Sequence, residues 1–116
     1  MTDKASEAVQ NGKKFKEITL DQPIKRGDSE IADITLRKPT AGELRGLTLE
    51  DLLKTDVATI LTLIPRISSP TLIQEEVDAM DPADLTECGG AIRGFFMTKA
   101  QQAIMDRMIA EQLSTS

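Results

Sequence analysis

The chain has 116 residues, with 14 Lys plus Arg against 19 Asp plus Glu, one Cys, three Phe and no His, Trp or Tyr. Without histidine no Ser-His-Asp or Cys-His nucleophile can be assembled, and Cys88 alone supplies neither an internal disulfide nor a zinc ligand set. The net charge of -5 and an aromatic content of 3% argue against affinity built on phosphate neutralisation or base stacking, so nucleic acid is not an expected partner.

Residues 1–14 are polar and without periodicity, which predicts a flexible N-terminal tail lacking the apolar region of a signal peptide. From Phe15 the pattern alternates. Ile18, Leu20 and Ile24 share one parity, as do Ala32, Ile34 and Leu36, which predicts a β-hairpin over 15–37 with Arg26-Gly27-Asp28 at its tip. A three- or five-residue loop around Gly27-Asp28-Ser29 would set Leu20 opposite Leu36 and Ile24 opposite Ala32, whereas a two-residue turn would put those sets on opposite faces. Pro23 has no amide donor and marks its strand as an edge.

After Lys38-Pro39 every segment reads as helical. Thr40-Ala41-Gly42-Glu43 has the spacing of a capping box, Thr48 to Asp51 repeats that start ahead of Leu52 and Leu53, and Asp56 caps a stripe of Val57, Ile60, Leu61 and Ile64. Pro65 should end or kink that helix at Ile64. A short acidic helix is expected from Ser69-Pro70 or Thr71 to Met80. Asp81-Pro82-Ala83-Asp84 is the strongest start in the chain. In the helix that follows, Leu85, Cys88, Gly89, Ile92 and Phe96 form one stripe with Phe95 at its margin. Gly89, Gly90 and Gly94 each cost ~1 kcal/mol in a helix, so they either admit a close neighbour or break the element in two. Beyond Met97, Ile104, Met105, Met108 and Ile109 make an apolar arc crossed by Gln101 and Gln112. The fold class expected is α+β: a single domain over 15–97, with the hairpin at 15–37 and a small bundle of about four to five helices counting from residue 40. A C-terminal amphipathic helix and tail follow over 98–116.

Chemistry is thin along this chain. The acids concentrate in residues 40–98, ten against four bases, chiefly at helix starts and on faces read as solvated. Glu50-Asp51 and Glu75-Glu76 point to different helix faces and make no acid/base pair. No phosphate-cradling loop, calcium loop or metal cluster is present, so no catalytic residue, cofactor or metal is expected. No apolar run approaches the ~20 residues that span a bilayer, which predicts a soluble protein without a membrane partner. Flexible thioethers at Met97, Met105 and Met108 suit a surface that adapts to a partner.

The succession ITLDQPIKRGDSEIADITLRKPTAGELRGL, LEDLL, TLIPRIS and MDPADLTECGGAIRGFF resembles the tail assembly chaperones of contractile-tailed bacteriophages and prophages. This is the tail protein E type that includes Mu-like relatives, and the resemblance covers residues 17–97. It implies binding and solubilising of the tape measure protein in the host bacterial cytoplasm, help to tail tube subunits assembling around it, and absence from the mature virion. It also implies a frameshifted longer form. Partner binding is expected at Phe95, Phe96, Ile104, Met105, Met108 and Ile109, with the same apolar surface favouring a homo-oligomer. The alternative is a structural tail connector or completion protein retained in the virion. A nucleic-acid-mimicking inhibitor would need acids spaced along one face, and here they gather at helix starts.

Overall fold

The structure, a computed structural model, describes residues 15–115, so the tail expected over 1–14 lies outside the described residues. Strands β1 (Phe15–Arg26) and β2 (Ser29–Arg37) form the antiparallel hairpin, and a two-residue strand β3 (Ser68–Ser69) adds to β2, giving a sheet in the order β1-β2-β3. The helices are α1 (Leu49–Leu53), α2 (Val57–Ile67), α3 (Gln74–Asp78), α4 (Pro82–Phe95) and α5 (Lys99–Thr115), with one 3-10 turn at Ala41–Leu44. The expected α+β architecture is the one observed.

The hairpin closes differently from the expected loop. Arg26 pairs with Ser29 across a two-residue turn, Gly27-Asp28, whose Gly27 has φ +60, a conformation that glycine adopts without a Cβ penalty. Near the turn Ile24 pairs with Ile31, whereas at the strand ends Ile18 pairs with Ile34 and Lys16 with Leu36. Between them Leu20, Asp21, Gln22 and Pro23 stand opposite Ala32 alone. This wide bulge offsets the two halves of the ladder by three residues, and an odd offset recovers the common face that a tight turn in one register would lose. Ile18, Leu20, Ile24, Ile34 and Leu36 are buried, Ile31 packs half-buried against them, and Ala32 is exposed. β1 is the edge strand, as Pro23 requires.

The unpaired backbone of the bulge is satisfied from α4. Asp84 is 2% exposed, and its carboxylate accepts the Asp21 N–H at 2.7 Å and the Gln22 N–H at 3.1 Å. An acid expected in solvent is thus a structural clamp between the sheet and a helix start, where the positive end of the helix also favours its charge.

The Thr40 to Glu43 start signal yields only the 3-10 turn. Glu43 accepts the Thr40 N–H at 2.9 Å, but its carboxylate is also held bidentately by Arg37, one bond measuring 2.6 Å. Arg66 donates to the carbonyls of Glu43 and Arg45, taking acceptors that a longer helix would need. Thr48 and Asp56 cap α1 and α2 as expected, accepting N–H groups of Asp51 and Thr59, both at 3.1 Å. α2 does not stop at Pro65. The residue four before it, Leu61, would have no donor for its carbonyl, and the Gln74 side chain supplies one at 3.0 Å, so the helix runs on to Ile67. Its buried residues are Thr59, Ile60, Leu63, Ile64 and Ile67, while Val57, expected inside, is 59% exposed.

The acidic helix begins later than expected, because Ser68 and Ser69 pair with Leu36 and Thr35 as β3. Glu76 accepts the Ile73 N–H at 3.0 Å at the start of α3 and grips Arg26 at 2.7 and 2.9 Å, pinning the hairpin tip to this helix. α4 is continuous across its three glycines. A Cβ at Gly89 would lie 3.9 Å from Thr55, an ordinary contact, and at Gly90 or Gly94 it would meet nothing within 4 Å. No close approach by another described residue therefore requires them. The inner face of the sheet packs against α2 and α4 around one core, and every buried side-chain N or O among the described residues has a hydrogen-bond partner.

Candidate functional site

The end of α4 divides the two adjacent phenylalanines. Phe95 is 5% exposed and belongs to the core, whereas Phe96, expected on the stripe, is half-buried at the C-cap. Their roles are exchanged relative to the expected stripe, because the buried face of α4 runs through Asp84, Cys88, Gly89, Ile92 and Phe95. Phe95 thus supports the surface from within and offers little of itself to a partner.

A short connection leads into α5, and Thr98 and Gln101 cap its start reciprocally. Gln101 donates its N–H to the Thr98 hydroxyl at 3.1 Å, and Thr98 donates its own to the Gln101 side chain at 2.9 Å. From Ala103 to Leu113 every residue is exposed. Ile104 is 58% exposed, Met105 46%, Met108 60% and Ile109 50%, so these four expected partner-binding residues share an uncovered helical arc. Leu113, 72% exposed, extends the arc beyond the four expected residues, and its spacing of four from Ile109 is the sequence signal that marks it. An arc of this kind normally faces a core, and here the core is already closed without it.

A second opening lies beside the glycines of α4. A groove of about 310 Å³ is lined by Val57, Leu85, Gly89, Gly90 and Arg93. Its one charged group is the Arg93 guanidinium. Cys88 lies under α4 with its thiol pushed up to about 12 by burial and by the neighbouring charges of Asp84 and Glu87, which removes the thiolate as a nucleophile near neutral pH. Among the described residues no three His, Cys, Asp or Glu side chains are grouped to hold a metal. No described helix is long and apolar enough to cross a membrane.

The perturbed carboxylates are structural. Glu43 is held down at about 2, chiefly by its hydrogen bonds from Arg37 and then by the Thr40 N–H. Glu76 is likewise held at about 2 by Arg26 and the Ile73 N–H. Each ties the hairpin to a helix start.

Residues 17–97 match the family model described as phage tail assembly chaperone proteins, E, or 41 or 14. The chain is 39% identical over 85 residues to Tail assembly protein E of Escherichia phage P2, a match covering 73% of this chain and 93% of that protein. It is also 39% identical over 82 residues to Tail assembly protein E' of the same phage, covering 71% of this chain and 58% of that protein. No solved structure matches the chain. The matched span runs from the third residue of β1 to the residue after Phe96, taking in the bulge, the Asp84 clamp and the Arg37, Glu43 and Arg66 network, and by this match the chain belongs to the phage tail assembly chaperone family.

Proposed function

We propose that this tail assembly chaperone binds and solubilises the tape measure protein in the host cytoplasm and helps tail tube subunits assemble around it, leaving before the virion is complete. The observation that carries the reading is the uncovered apolar arc of α5, Ile104 to Leu113, projecting from a core already closed at Phe95. An amphipathic helix with two methionines in its apolar face suits apolar helical segments of varying sequence, because unbranched thioethers repack at little cost. Phe96 adds an aromatic surface at the base of this helix. The pair of relatives named E and E', of which the chain spans 93% and 58%, supports a longer form of the protein that shares the same folded body and continues differently.

Co-expression with the tape measure protein tests the reading. The tape measure is expected in the soluble fraction and in a complex recovered through this chain, and Ile104→Glu with Ile109→Glu is expected to cut that recovery more than tenfold. An insoluble tape measure with no recoverable complex would overturn the proposal. Mass spectrometry of purified tails is expected to show none of the chain; its stoichiometric presence would favour a retained connector instead.

A further inference from the structure

We propose that α5 also recognises itself, pairing antiparallel with α5 of a second copy about a two-fold axis level with the Asp106–Arg107 peptide. Along its apolar arc the helix is an inverted repeat about that bond, whereas Asp106, Gln102, Ala100 and Lys99 have unlike counterparts in Arg107, Glu111, Leu113 and Ser114. Reading outward in both directions, Met105 matches Met108, Ile104 matches Ile109 and Gln101 matches Gln112. In an antiparallel two-fold pair each residue stands level with the one equally far on the other side of the axis in the opposite chain. Met105 is then level with the partner's Met108, Ile104 with the partner's Ile109, and Gln101 with the partner's Gln112. A parallel pair sets every residue level with its own copy whatever the sequence, so it places no demand for such a repeat. Opposed helix dipoles favour the antiparallel arrangement as well.

The glutamines select the register. The Gln101 oxygen already accepts the Thr98 N–H, but a primary amide carries two donors and two acceptor lone pairs, so Gln101 and the partner's Gln112 at one level can still bond each other. Sliding the pair by a turn would set Gln101 level with Met108 or Ile109 in one direction and Gln112 level with Ile104 or Met105 in the other, the kind of mismatch by which polar residues in an apolar seam fix register. Charge permits the contact too: Lys99 and Arg107 balance Asp106 and Glu111 along α5, although the whole chain carries -5, so two copies meet here without net repulsion. The 17 residues of α5 extend about 26 Å. Pairing two such helices along their apolar arcs buries on the order of 1,000 Å², the lower limit of a specific interface, which makes the dimer reversible rather than permanent. It occupies the arc assigned above to the tape measure, so dimer and complex exclude each other, but the pairing itself does not depend on the identity of that partner.

The test uses the full chain alone. Sedimentation velocity over a range of concentrations is expected to show a monomer passing to a dimer, and Met105→Glu with Met108→Glu, which crowds four acids at the axis, is expected to raise the dissociation constant more than tenfold with an unchanged far-UV circular dichroism spectrum. Orientation is read by disulfide trapping, in which the buried Cys88 takes no part. A chain carrying Gln101→Cys mixed with one carrying Gln112→Cys is expected to give the mixed disulfide on mild oxidation. Either variant alone is expected to give little, because like positions then lie about 16 Å apart along the axis. A single monomeric mass at every concentration, a dimer indifferent to the two glutamates, or same-position disulfides outrunning the mixed one would each overturn the proposal.

Discussion

Asp84 occupies the third position of α4, where an acid is ordinarily placed for the helix dipole and left in solvent. Nothing in its local sequence separates that role from the one it has, which depends on a bulge more than sixty residues away in the chain. Its two oxygens replace the ladder partner that Asp21 and Gln22 lack. Asp84→Ala is therefore expected to cost about 3 kcal/mol, because it removes two charge-assisted hydrogen bonds and leaves two backbone donors part-buried and unpaired. Urea unfolding monitored by circular dichroism measures this, and a loss under about 1 kcal/mol would mean that water replaces the carboxylate. Gln74 has the same relation to Pro65. The proline was legible as a missing donor, but the amide that takes up the freed Leu61 carbonyl arrives from another element.

At the scale of elements, caps and periodicity located most helices. Asp56, Asp81 and Thr48 each bond the amide that their spacing predicts. The starts that failed did so through competition. Glu43 is taken by Arg37, and Ser68 and Ser69 are taken by β2, so one expected helix shrinks to a turn and another begins at Gln74. α5 is the element whose contribution can be separated. Its residues from Ala103 to Leu113 are exposed and the core cluster ends at Phe96, so removing residues 98–116 is expected to change the unfolding free energy by no more than about 0.5 kcal/mol. The same truncation is expected to abolish recovery of the tape measure and self-association. Chemical denaturation and a pull-down on the one truncated protein check both, and a large loss of stability would place α5 within the folding unit.

For the whole molecule, the negative charge is distributed among helix starts and two ion pairs that fasten the hairpin, Arg26 with Glu76 and Arg37 with Glu43. Both carboxylates titrate at about 2 in the folded chain against an ordinary 4.5, so between those values the unfolded chain binds more protons. The stability they contribute is complete above about pH 4.5 and is lost as the pH falls toward 2. Thermal melts across this window are expected to fall steeply for the natural chain and less steeply for Glu43→Gln with Glu76→Gln. Equal slopes would show that other carboxylates govern acid unfolding. The pairs are partly exposed, so high salt is expected to flatten the difference.

The sequence by itself determined the fold class, the two strands, the strong caps, the burial of Cys88 and the apolar arc of the last helix. These rest on local periodicity and on side chains bonding backbone within a few residues. It also determined the family, through the span from Glu17 to Met97. Only the tertiary structure decided the hairpin register, the bulge and its clamp, the passage of α2 through Pro65, which of Phe95 and Phe96 is inside, and that the α5 arc faces no core. Each of these turns on one group meeting another that is distant in sequence. A hydrogen-bond acceptor or an apolar side chain looks the same in the sequence whether its partner is solvent, a remote strand or a second protein.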